Sequence, residues 1–173
     1  MALQHIFAEL EAALANGIIE RYALGGAVGA TFYIEPSATQ DVDVFVVFNQ
    51  PATRLVSLEP IYAYFTSRGA VVQNEHLVIA DWPVQFLPAT TPLVDDAIAH
   101  PMHMVVDGQR VAVISQEHLA AIALETGRMK DKVRLAQFLE SGSFGLSRFS
   151  ALVERFDLTE KWARFSKLME DQR

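Results

Sequence analysis

Asp41 and Asp43 stand two residues apart at the head of the apolar run Val44-Phe45-Val46-Val47-Phe48, and Gly25-Gly26 lies a short way upstream. Side chains alternate along an extended segment, so carboxylates at i and i+2 point to the same face and can share one hard cation. A glycine pair that opens a helix offers backbone N–H groups and the positive end of the helix to a phosphate. Together the two features predict a site for a metal-bound nucleotide. Phosphoryl transfer asks for such parts: oxygen ligands for a cation, a cradle for the triphosphate and alignment of the attacking hydroxyl.

The elements that must position these groups follow from hydrophobic spacing. Leu3, Ile6, Phe7, Leu10 and Leu14 recur at helical intervals and Asn16-Gly17 supplies a stop. Arg21 to Leu24 reads as a short strand, and Ala27 to Tyr33 as a helix whose small residues let it lie close to a sheet. A loop at Glu35 to Thr39 precedes the strand from Val42 to Phe48, which Asn49-Gln50-Pro51 ends. Leu55, Leu58, Ile61, Tyr62 and Phe65 then give a helix closed by Arg68-Gly69. Glu75 to Ala80 and Pro83 to Leu87 predict a hairpin turning at Asp81-Trp82. Thr91-Pro92 starts a helix to about Ala99, and Arg110 to Ile114 reads as a strand after the turn Asp107-Gly108. From Ser115 onward the pattern is wholly helical, over 116 to 126, 128 to 141, 144 to 155 and 159 to 170.

Gly25-Gly26, a helix, and then Thr39-Gln40-Asp41-Val42-Asp43-Val44-Phe45-Val46 resemble the nucleotidyltransferase superfamily that includes DNA polymerase β, nearest the small bacterial AbiEii-type and minimal nucleotidyltransferases. The likeness is strongest over residues 22 to 48. A second stretch, Glu117 to Leu124 followed by Gly127-Arg128-Met129-Lys130-Asp131, is similar to the C-terminal helical part of AbiEii-type proteins. The resemblance implies an α/β (α+β) nucleotidyltransferase fold, a short mixed sheet flanked by helices with a helical C-terminal part. It implies Mg²⁺ or Mn²⁺ on Asp41 and Asp43, the triphosphate of an NTP such as ATP on Gly25 and Gly26, and Lys130 and Asp131 near the nucleotide. The acceptor would be a hydroxyl on RNA, protein or a small molecule, in a toxin-like setting with an antitoxin-like partner.

The departures bear on activity. The superfamily's third carboxylate belongs on the strand Pro83 to Leu87, where the matching position holds Gln85. A glutamine oxygen can ligate a cation but brings no charge and cannot act as a base. Ala123 stands where relatives often carry lysine, and Arg134 where they carry aspartate. Nucleotide binding is therefore better supported than turnover. The rivals are a catalytically silent nucleotide-binding or interaction module, and a structural partner protein in which the glycine turn and aspartates are relics.

Plainer readings stand beside each motif. Asp-x-Asp is often a pair of solvated loop acids, a glycine pair a tight turn, and the charges at Arg128, Lys130, Lys132 and Arg134 a solvated helix face. His100 and His103 flank Pro101 and read as surface histidines, Glu35 as a loop acid, Trp82 and Trp162 as packing residues.

The chain has 173 residues, enough for one sizeable core, divided here into a nucleotidyltransferase-like part over 1–114 and a helical extension over 115–173 packed on it. A net charge of -7 argues against a surface that grips nucleic acid throughout. The absence of cysteine excludes disulfides, thiolate zinc sites and cysteine nucleophiles, and fits a reducing compartment. No signal-like start or membrane-length apolar run is visible, so a soluble cytoplasmic protein without membrane contact is expected.

Overall fold

The computed structural model describes residues 2–48 and 57–171. Within them lie α1 (Ala2–Ala15), β1 (Arg21–Leu24), α2 (Gly26–Ala30), β2 (Val42–Val47), α3 (Glu59–Ser67), β3 (Val71–Gln73), β4 (His76–Ile79), β5 (Trp82–Pro88), α4 (Pro92–Ala99), β6 (Met102–Val106), β7 (Gln109–Val113), α5 (Gln116–Thr126), α6 (Met129–Glu140), α7 (Leu146–Arg155) and α8 (Thr159–Glu170). The strands form one mixed sheet in the order β3-β4-β5-β2-β1-β7-β6. β2 lies at its centre, antiparallel to β1 and parallel to β5.

Alternation along β2 decides what each face does. Val42, Val44 and Val46 are fully buried and join Val84 and Phe86 of β5 and Leu77 and Ile79 of β4 in one core. α1 covers this face with Ile6, Phe7 and Leu10, and α3 with Ile61 and Phe65. Each such side chain, once buried, contributes about 1.5–3 kcal/mol. The other face carries Asp43 and Phe45, and beside it Ala23, Ala30 and Ile114 share a second core with residues of α4 to α8. The helical C-terminal part is thus joined to the sheet by common packing.

Several boundaries differ from those expected. The helix after the glycine pair stops at Ala30, giving five residues instead of a run to Tyr33. The hairpin turns at Ala80-Asp81, both with positive φ (50° and 66°), and Trp82 is already the first residue of β5. Two edge strands, β3 and β6, were not anticipated: all three residues of β3 are exposed, and in β6 only Met104 and Val106 reach the core, each half-buried. The helix expected to include Leu55 begins at Glu59, with Pro60 in its first turn. Leu55 and the Asn49-Gln50-Pro51 break lie outside the described residues.

Candidate active site

The antiparallel register of β1 and β2 sets Leu24 against Val44, so the chain leaving β1 passes beside Asp43. The Gly25 N–H donates to the Asp43 carbonyl at 2.9 Å, and α2 begins one residue later. Gly26 has φ +56°, and a Cβ there would overlap the Asp43 carboxylate; a Cβ on Gly25 would overlap the Phe45 ring. The glycine pair therefore brings backbone down onto the carboxylate in a way that a side chain would block. The first amides of α2 have no intrahelical acceptors and open at the same place.

Upstream, the Thr39 hydroxyl donates to the Asp41 carbonyl at 3.0 Å, and lies 3.1 Å from Oδ1 of its side chain. This turn fixes Asp41 just before the strand. Asp43 pairs in register with Gln85, so the position expected to hold a third acid is on the same face, one strand away. Gln85 makes no side-chain hydrogen bond to the described residues, which leaves its amide available.

A functional candidate that sequence reasoning missed stands one strand further. Leu77 pairs with Val84, which places His76 opposite Gln85 and on the same face. His76 Nε2 lies 3.8 Å from Asp41 Oδ2, with the two side chains 29% and 40% exposed. The signal was present in the alternation His76-Leu77-Val78-Ile79, but it gains meaning only once the register is known.

Charge is distributed unevenly here. Burial raises the pKa of Asp43 and the Asp41 carboxylate adds to the shift, while Lys130, Arg134 and Arg128 oppose it. Those cations all come from α6 or its first flanking residue, so this helix overlooks the carboxylate pair. Asp131 is only 2% exposed and sits beneath them: it accepts from Arg128 Nε at 2.6 Å and lies 3.8 Å from Arg134 Nη1. Asp131 thereby positions two guanidinium groups, while Lys130 stays exposed and makes no hydrogen bond or ion pair among the described residues.

The rest of the α5 sequence patch has structural work. Glu117 Oε1 accepts from the Gly145 N–H at 3.0 Å and ties α5 to the start of α7. His118 bridges Ser115 Oγ at 2.8 Å and Asp96 Oδ2 at 3.0 Å, and Arg155 adds a 2.9 Å pair to Asp96, which joins α4, α5 and α7. Glu35, His100 and His103 are exposed, whereas Trp82 and Trp162 pack against the two cores.

The donors suit a hard divalent cation. Two carboxylates share a face, the more buried one is disfavoured as an anion by its surroundings, and a bound cation would relieve that cost. Among the described residues no three His, Asp or Glu side chains form a group that could hold a metal ion. Mg²⁺ sites beside phosphates take one or two carboxylates and complete their shell with phosphate oxygens and water.

No family model matches the chain, and no curated protein sequence matches it. Solved structures do. The chain is similar to an antigenic nucleotidyltransferase-like protein from Paracoccidioides brasiliensis, with TM-score 0.58 and 15% identity over 92% of this chain and 91% of that one. It is similar to ANT(2'')-Ia in complex with adenylyl-2''-tobramycin, with TM-score 0.56 and 15% identity over 95% and 99% of the two chains. The solution structure of the antibiotic-resistance factor ANT(2'')-Ia gives TM-score 0.54 and 17% identity over 99% and 98%. The chain has the nucleotidyltransferase fold.

Proposed function

We propose that this protein binds an NTP together with Mg²⁺ or Mn²⁺ and transfers its nucleotidyl group to a hydroxyl acceptor on RNA, protein or a small molecule. The observation that carries the proposal is the meeting of Asp41 and Asp43 with the Gly25-Gly26 backbone on one side and the cations of α6 on the other. In this arrangement Asp41 and Asp43 would hold the cation, which supplies charge neutralisation on the phosphates. The amides around Gly26 receive phosphate oxygens. Lys130 and the guanidinium groups set by Asp131 balance the triphosphate charge. The acceptor hydroxyl oxygen would attack the α-phosphorus and release its proton to solvent, the bond from that phosphorus to the α,β-bridging oxygen would break, and pyrophosphate would leave with the bonding electron pair.

The fold neighbour solved with adenylyl-2''-tobramycin supports nucleotidyl transfer to a hydroxyl as the reaction type. Arg128, Lys130 and Arg134 favour a neutral or phosphate-bearing acceptor over a polycation. Within this proposal residues 1–114 supply the catalytic part and 115–173 close the cleft. The AbiEii likeness adds a toxin-like role in the cytoplasm with an antitoxin-like partner.

The test is label transfer from α-labelled NTPs to total RNA, protein or small hydroxyl compounds with Mg²⁺ or Mn²⁺. Transfer that Asp41→Ala abolishes is the expected result. Gln85, in register with Asp43, favours a second reading: a silent module that binds nucleotide without turning it over. It predicts a metal-dependent rise in melting temperature with NTP and no transfer to any acceptor.

A further inference from the structure

The last turn of α5 encloses, with α6 and α8, a second cavity of about 230 Å³. It lies on another side of α6 from the carboxylate pair: at 3.6 residues per turn, Lys132 at its edge stands about 160° round the helix from both Lys130 and Arg134, the cations that act on Asp43. The floor is apolar. Leu124, Leu135 and Phe165 are buried, and Leu168 forms a wall that is 38% exposed. A cavity of about 150 Å³ with this kind of lining holds a benzene ring, so this one has room for about nine non-hydrogen atoms.

The rim carries charge of one prevailing sign, with Lys132, Lys161 and Arg164 set against Glu125. Lys161 Nζ donates to the Glu125 carbonyl at the end of α5, and the Glu125 carboxylate lies 3.5 Å from the Thr91 hydroxyl. Arg164 makes a solvent-exposed pair with Glu160 at 3.2 Å, which holds it weakly. Lys132 is different: it is half-buried and makes no hydrogen bond or ion pair among the described residues. A part-buried ammonium gives up water, and an anion beside it would recover that cost. In a chain of net charge -7, a cationic rim over an apolar floor is a local departure from the surface average. Multiply charged phosphates suit it less, because Glu125 and the negative end of α5 lie at the same rim.

We infer that this cavity binds a small amphiphilic monoanion: an apolar body of about seven to nine carbons on the floor and one carboxylate on Lys132. The site is separate from the nucleotide site and does not rest on the nucleotidyl-transfer reading.

The probe is octanoate, titrated into the full chain at neutral pH and followed by calorimetry and methyl NMR, with 1-octanol and octylammonium as uncharged and cationic controls. One octanoate should bind per chain, with shifts centred on the methyl groups of Leu124, Leu135 and Leu168. It should bind about tenfold more tightly than octanol, and octylammonium should not bind. Lys132→Gln should weaken octanoate about tenfold, to the level of octanol. Leu168→Asp should abolish binding by placing a carboxylate in the wall. Neither position is fully buried, and unchanged melting temperatures confirm both folds. Inorganic tripolyphosphate with Mg²⁺ should leave the bound probe in place. Absence of saturable octanoate binding at millimolar concentration, equal binding of octanol, indifference to both substitutions, or displacement by tripolyphosphate would each overturn the inference.

Discussion

Replacing Asp43 by asparagine should make the free protein more stable and at the same time remove its response to ligand. The carboxylate is held where ionisation is costly: burial raises its pKa, Asp41 raises it further, and the cations of α6 offset this only in part. Asparagine keeps the shape and removes the charge, for a gain of about 1 kcal/mol at neutral pH, of the size seen when a functional site is relieved of strain. In a chain of this length that is about 2–4 °C in melting temperature. Because the folded pKa lies above the ordinary value of 3.8, the folded state binds this proton more tightly than the unfolded state. The stability this group contributes is therefore full below the ordinary value and is lost as pH rises through the raised one. The advantage of the variant should accordingly appear at neutral pH and vanish in acid. An NTP with Mg²⁺ at about a hundred times its dissociation constant should add about 2.7 kcal/mol, or roughly 5–11 °C, to the wild type and nothing to the variant. Scanning calorimetry with and without ligand at two pH values measures all four states. A variant less stable than the wild type at neutral pH without ligand, or one that keeps the ligand shift, would refute the reasoning.

Gly26→Ala should cost about 1–2 kcal/mol from the left-handed backbone alone, and should also weaken metal binding because its Cβ displaces the Asp43 carboxylate; thermal melts and Mn²⁺ titration read the two effects separately. Lys130→Ala should leave the melting temperature of this exposed position within about 0.5 kcal/mol of wild type, weaken NTP binding about tenfold, and flatten its salt dependence in titration calorimetry. Asp131→Asn should lower stability by about 2 kcal/mol, since it leaves the part-buried Arg134 without its counter-charge, and denaturant melts check this. Asp96 feels burial most, which raises its pKa, but His118, Arg155 and His100 together outweigh that and leave it lowered. Its contribution should be present above the ordinary carboxylate value and be lost as pH falls through the lowered one, a loss that His118→Ala reduces in acid titrations followed by circular dichroism.

What the sequence made legible was whatever repeats locally. The four helices after Ser115 emerge within two residues of their expected bounds because α6, α7 and α8 each have an apolar stripe, and α5, buried nearly all round, has a hydroxyl cap at Ser115 and a left-handed Gly127 at its end. The Asp41 to Asp43 strand and the glycine turn were legible for the same reason, as two short patterns close together in the chain. β3 was not, because an edge strand exposed on both sides shows no alternation to detect, and β6 alternates over only three residues, Met104 to Val106. His76 was not, because its significance lies in pairing with Gln85 across a hairpin whose turn falls one residue earlier than the sequence suggested. The role of Asp131 was hidden too: an acid beside Lys130 in sequence lies buried under Arg128 in space, on the side away from solvent.

The amide at position 85 and the cations of α6 are parts of one electrostatic arrangement. Asp43 is already pushed toward its neutral form by burial and by Asp41. A third carboxylate in register with it would add a like charge in the same part-buried place and drive that shift further, so that the free site would hold a proton where it needs an anion. Glutamine avoids the added repulsion while keeping a carbonyl oxygen at the same point on the sheet. Arg128, Lys130 and Arg134 then oppose the upward shift at Asp43 and present positive charge to an incoming phosphate. What the arrangement gives up is the base that a carboxylate at 85 would have supplied to the acceptor hydroxyl. Under the nucleotidyl-transfer proposal the proton of the acceptor hydroxyl then has to pass to a group other than residue 85, whereas nucleotide binding has no such requirement.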